Sequence, residues 1–354
     1  MDIASRRILR MTLSTALGMW ISQAIGWPMS FMAPLLAFVF LSLPLPRPSI
    51  KMTVGFVVVL GACSFAGVLL LPFLIYARWA GILMFVLALF YSFYYTSRGG
   101  SAALGTFMTV GLTLVAAIGS VSSEAMVLIA QALTINGIFG MGLVWMAHAM
   151  VPDPPPDPGI AAKRPPKPAP PDLETARLRA LRSMLIVLPI AIFFLFSSAS
   201  AGYVAIMIKV ASMGQQANVD STRSAGRSML ASTVVGGVGA IIAWQVLSIW
   251  PSLLLYTLLL AFFLLLFGPK IFQGAGMHPK APMWSYGFLT LIVVLAPAVT
   301  DGIGSDGAGS AFYTRLFLFV VIAVYGSTAI AVFDAFWPKV RVQTNIPQPN
   351  PATA

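Results

Sequence analysis

The apolar stretches of this chain fall into two sets of six, and its positive charges lie almost wholly in every other gap between them. Short loops rich in Lys and Arg stay on one side of a bilayer, so this alternation predicts a multi-pass membrane protein. Composition agrees: apolar residues are 58% of the 354 and charged residues only 9%, too few to coat a water-soluble globule. In lipid, only helices or closed barrels satisfy every backbone N–H and C=O. The apolar runs have the length of a bilayer span and do not alternate with polar residues, which selects helices. The expected fold class is an all-α polytopic membrane protein of about twelve transmembrane helices, built as two parallel six-helix repeats.

The spans read as Ile8–Ile25, Met29–Leu43, Met52–Tyr76, Trp79–Tyr95, Ala102–Ile118 and Ala125–Met150, then Ser183–Ser198, Tyr203–Met213, Met229–Ile249, Leu253–Phe267, Met283–Thr300 and Ala311–Trp337. Twelve crossings put Arg6, Arg7, Arg10, Arg47, Lys51, Arg98, the Lys163–Arg182 cluster, Arg223, Arg227, Lys270, Lys280, Lys339 and Arg341 on one side. By the positive-inside bias that side is the cytoplasm, and both termini lie in it. Glu124, Asp301, Asp306, Arg78 and Arg315 fall opposite. The net charge of +11 is thus mostly topological and favours anionic inner-leaflet lipid. Cations spread over many loops do not make a nucleic-acid surface. The charged, then apolar, N-terminus reads as a signal anchor rather than a cleaved leader, because further spans follow it. Cys63 is the only cysteine, so no internal disulfide is expected.

Half of residues 152–171 are proline, which predicts an extended, semi-rigid spacer. It divides the chain into a first membrane repeat (1–151), the linker (152–171), a second repeat led by a short amphipathic helix near Asp172 (172–340), and a tail (341–354). Arg6-Arg7-Ile-Leu-Arg10 opens one half and Arg177-Leu-Arg-Ala-Leu-Arg182 the other. TFMTVGLTLVAA and YGFLTLIVVLAPA occupy span five of each half, and His148 and Asp334 precede matching final prolines.

In repeat transporters, short or Pro/Gly-interrupted spans at matching places mark the binding site. Span two carries Pro28, Pro34, Pro44 and Pro46, and span eight is only about eleven residues long and contains Lys209. The substrate-binding candidates are therefore Lys209, Pro34, Tyr203 and Arg227. A lysine within a span either meets an anionic substrate or snorkels to the boundary. Arg227 serves equally as an interface anchor. Glu124 and Gln131, seven apart, share a face of span six and are proton-coupling candidates with His148 and Asp334. Glu124 also suits a helix start, where the macrodipole favours a carboxylate. Asn136 and Gln245 read as cross-links between helices, and Arg315 as the partner of a nearby aspartate. Ser232, Gly236 and Ala240, spaced by four, predict close helix packing within one chain or between copies in a homo-oligomer. No phosphate-binding loop, metal cluster or Ser/His/Asp set stands out, so neither an enzyme nor a cofactor is expected.

The opening RRILRMTLSTALGMWISQAIGWPMSFMAPLLAFVFLS, with its Gly-Trp-Pro turn, and the segment STRSAGRSMLASTVVGGVGA resemble the fusaric-acid-resistance and aromatic-acid-exporter superfamily of bacterial inner-membrane proteins. The large cytoplasmic domain of better-known members is replaced here by the Pro-rich linker. The resemblance implies proton-driven secondary efflux of small organic anions or aromatic compounds, in cooperation with a periplasmic adaptor. A passive anion channel and a non-transporting scaffold for an efflux or envelope assembly are the competing readings.

Overall fold

A computed structural model describes residues 2–119, 122–153, 171–196, 204–219, 224–274, 276–302 and 307–336. They form twelve helices: α1 (Ile3–Ala24), α2 (Met32–Leu41), α3 (Ile50–Tyr76), α4 (Arg78–Ser97), α5 (Ala102–Gly119), α6 (Ser123–Met150), α7 (Leu173–Leu195), α8 (Val204–Val219), α9 (Ser224–Ile249), α10 (Leu253–Ile271), α11 (Ala281–Thr300) and α12 (Ala308–Phe336). The connection between α10 and α11 holds a two-stranded hairpin, Phe272–Gln273 with Gly276–Met277. The fold is all-α and polytopic, and nine of the described helices are long and apolar enough to cross a membrane. Their outer faces suit lipid: Leu69, Leu83, Phe262 and Phe317 are 58–71% exposed, which water would penalise.

Sequence and structure differ in three places. The amphipathic helix expected ahead of span seven is continuous with it, as the single helix α7. Span eight extends six residues further, to Val219, and takes in Gln215. Both α2, of ten residues, and α8, of sixteen, stay short, at about 15 and 24 Å against a hydrocarbon thickness near 30 Å. Pro34 does not interrupt α2. It stands third in the helix, where an N–H has no intrahelical acceptor in any case. The interruption lies earlier, in the turn over Gly26–Met29, where Gly26 has φ +68° and Met29 +54°. Asn136 on α6 donates to the Pro28 carbonyl in that turn (3.2 Å), and Trp27 packs edge-on against Phe139.

Side-chain contacts sort the connections onto two ends of the bundle. Arg6 reaches the Pro152 carbonyl at the end of α6, and Arg10 bonds the Val151 carbonyl (2.7 and 3.1 Å) and Asp153 (2.8 Å). Arg47 lies over Trp145, Trp145 donates to Thr53, Arg98 donates to Pro171, and Arg7 lies over Phe272. The basic connections thus meet at one end. At the other, Arg315 pairs with Asp301 (2.6 Å), Gln245 donates to Tyr313, and Arg78 lies over Phe196. Among the described residues, these contacts agree with the expected segregation of charge. They agree equally with the local Arg315 pair and the cross-linking roles of Asn136 and Gln245.

The pattern of neighbours repeats on moving six helices along the chain. α3 packs on α5 and α6 as α9 packs on α11 and α12; α1 lies on α2 as α7 lies on α8; α2 lies on α6 as α8 lies on α12. Between the halves, α1 packs on α10 and α4 on α7, a reciprocal pair, and α2 meets α11 while α8 meets α5. The two short helices thus stand at corresponding places, each touching the opposite half. Gly236 makes the tightest of these crossings possible. A methyl group there would collide with the Gly287 carbonyl and stand 2.7 Å from the Thr290 Cβ. Ser232, Gly236 and Ala240 therefore serve packing inside one chain.

Candidate functional site: a buried lysine beneath an apolar cavity

Lys209 sits midway along α8 and is 1% exposed, so it does not snorkel to a boundary. Its Nζ donates to Thr233 Oγ1 on α9 (2.9 Å) and to Thr290 Oγ1 on α11 (3.2 Å), and lies 5.9 Å from the centre of the Phe319 ring on α12. Thr233 is itself anchored, donating to the Met229 carbonyl at 2.9 Å. Four helices of the second half therefore converge on one amine. Among the described residues no carboxylate lies within ion-pair distance of it. An ammonium group removed from water needs a counter-charge as well as hydrogen bonds, and two hydroxyls supply only the second.

A cavity of about 210 Å³ opens between the halves. The end of α2 (Phe38, Val39, Ser42, Leu43) and the start of α5 (Ala102, Ala103, Thr106) line one side of it. The hairpin residue Met277 and the start of α11 (Pro282, Ser285, Tyr286, Leu289) line the other. These chain ends belong to the connections at the basic end of the bundle. The lining is almost wholly apolar and includes two aromatic rings. Phe38 also meets Phe288 at 4.7 Å between ring centres, tying α2 to α11 at the cavity. Thr290 stands one helical turn beyond Tyr286 on the same stripe of α11, so that helix links the cavity wall to the layer of Lys209.

The other expected residues are dispersed. Pro34 is buried in α2 but does not line the cavity. Arg227 is exposed at the start of α9, the position of an interface anchor, and no described contact joins it to Lys209. Glu124 and Gln131 share a face of α6, as their spacing requires, but that face is exposed on the outside of the bundle. Glu124 occupies the first turn of α6, behind the Ser122 cap, where the helix dipole favours it. His148 is buried at the basic end, its Nδ1 2.9 Å from the Val144 carbonyl and its Nε2 without a partner. Tyr203 and the side chain of Asp334 lie outside the described residues. Thr233, Thr290 and Phe319 were not foreseen, because hydroxyls and rings within apolar runs look like ordinary packing until the fold brings them to one amine. Among the described residues no three His, Cys, Asp or Glu side chains gather as a metal site would require.

No curated protein and no solved structure matches the chain. A sequence-family model described as "Protein of unknown function (DUF2955)" matches residues 7–148, a stretch that runs from the second turn of α1 to the last turn of α6.

Proposed function

We propose that the chain is a secondary transporter of small organic anions, with Lys209 as the anion-binding group. The observation that carries this reading is an amine wholly buried among four helices, held by two threonines and lacking a counter-charge among the described residues. A bound carboxylate would supply that charge. The apolar, aromatic-lined cavity at the junction of the halves suits the hydrocarbon or aromatic body of the same solute. The recurring helix pairings, and a family match that ends with α6, support two duplicated six-helix units with twelve crossings. The short helices α2 and α8 then occupy equivalent places, as the broken helices of repeat transporters do. We read the basic end as cytoplasmic with both termini inside, and the chain as a bacterial inner-membrane protein on the resemblance of its opening and of residues 221–240 to the exporter superfamily. Of the proton-coupling candidates, buried His148 is carried forward in place of Glu124 and Gln131, which face outward.

The test is transport of labelled small aromatic carboxylates into inverted membrane vesicles, with and without a protonophore. Lys209→Met should abolish accumulation while leaving the amount of folded protein in the membrane unchanged. Normal accumulation by that variant would remove Lys209 from the mechanism. Flux that follows the solute gradient and ignores the protonophore would mark a passive channel.

A further inference from the structure

Lys209 is one end of a polar stripe that winds along α8 through Ser212 to Gln215. All three are buried, in a helix whose other described side chains, Ile206 to Gly214, are apolar apart from these. Ser212 donates to the carbonyl of Lys209 (2.8 Å), and Gln215 is 0% exposed with neither its amide nitrogen nor its oxygen hydrogen-bonded. Beside it, on α4, the Thr96 hydroxyl is likewise buried and without a partner. The two meet over Gly105 at the start of α5. A Cβ there would lie 3.0 Å from Gln215 Nε2 and closer still to Thr96 Oγ1, so glycine leaves the polar groups room to face each other. The adjacent Gly105 carbonyl is already taken, accepting from Ser92 (3.2 Å) and Thr109 (3.0 Å), and so cannot satisfy Gln215.

Three unpaired polar atoms buried together, two donors or acceptors on an amide and one on a hydroxyl, match the two to four bonds by which a protein holds an interior water. Left unmet, each would carry the full desolvation penalty of a buried polar group. The site lies where the end of α4, the start of α5 and the end of α8 come together, at the basic end of the bundle. We infer that Gln215 and Thr96, opposed across Gly105, form a hydrated polar site that opens the layer of Lys209 to water from the basic end. The inference does not depend on which solute is carried, or on whether one is.

Substituted-cysteine labelling tests it, since replacing Cys63 with alanine removes the only cysteine. On that background Thr96→Cys and Ser212→Cys should react with methanethiosulfonate ethylammonium applied to the basic end, as exposed Lys51→Cys does. Ala130→Cys, buried in α6 away from the stripe, should not. Adding Gln215→Met should abolish labelling of Ser212→Cys. In the unsubstituted protein, hydroxyl radicals generated in bound water should oxidise buried Phe93, which packs against Gly214 one turn from Thr96. Inert cysteines at both positions in protein that elutes as the folded species, or an unoxidised Phe93, would overturn the inference. Because these readouts are labelling and not flux, they stand apart from the transport test.

Discussion

Replacing Gly236 with alanine should damage both the packing of the second half and the geometry around Lys209. The added methyl group would meet the Gly287 carbonyl and stand 2.7 Å from the Thr290 Cβ, whereas ordinary contact begins near 3.4 Å. Backbone atoms cannot rotate away, so α11 must retreat from α9 by at least about 0.7 Å, the gap between those two distances. Overpacking of this kind costs roughly 1–3 kcal/mol. The better helix propensity of alanine returns about 1 kcal/mol, which leaves a net change from about 0 to 2 kcal/mol of lost stability. Gly55→Ala in α3 isolates the propensity effect, because nothing lies within 4 Å of its added methyl group. That variant should be neutral or more stable. A retreat of about 0.7 Å along the 3.2 Å bond from Lys209 to Thr290 would take it past the range of a hydrogen bond. The assay is the apparent midpoint of thermal unfolding of detergent-solubilised protein, followed by the fraction eluting as folded species. Unfolding of Gly236→Ala at or above the midpoint of Gly55→Ala would refute the reasoning, because α9 and α11 would then not approach as closely as described.

Arg10→Met should lower stability by about 2–3 kcal/mol in the same assay, since it leaves the Val151 carbonyl without a donor in a part-buried setting. Asp153→Asn should cost less than about 1 kcal/mol, because that side chain is 47% exposed and its pairing with Arg10 is screened by water. Glu124→Gln and Gln131→Leu should leave vesicle transport unchanged, as both residues face outward from α6; loss of flux in either would return that face to the mechanism. Lys209→Met, beyond abolishing transport, should leave stability unchanged or raise it, because it removes an unpaired amine that is costly to keep from water. A large loss of stability would instead make the lysine a structural strut.

Much of the architecture was legible in the sequence because lipid imposes one-dimensional rules. A span must be long and apolar, its cations must sit at one end, and prolines must gather where no helix continues. Those rules located most of the described helices to within a few residues, sorted the basic connections onto one end, and singled out α2 and α8 as short. They also pointed to Lys209, because a charge inside an apolar run is conspicuous whatever surrounds it. Their failures are local. Arg179 and Arg182 mark a hydropathy boundary ahead of span seven, but the helix runs on through them. Helix α8 runs past the apolar stretch that ends at Met213, because a polar residue such as Gln215 can stay in a helix when the bundle buries it. Pro34 suggested a break because sequence does not reveal that it stands in a first turn.

What a face touches is a three-dimensional matter. Seven-residue spacing put Glu124 and Gln131 on one side of α6, but only packing turned that side outward. Equally, no local signal joins Lys209 to Thr233 and Thr290, 24 and 81 residues away, or Gln215 to Thr96 on the far side of Gly105. Hydropathy along the chain decides which segments enter the bilayer, because each segment meets lipid independently. Which polar groups then meet inside is settled by helices pressing together at small residues such as Gly236 and Gly105, where backbones approach and the few buried hydroxyls, amides and amines must find one another.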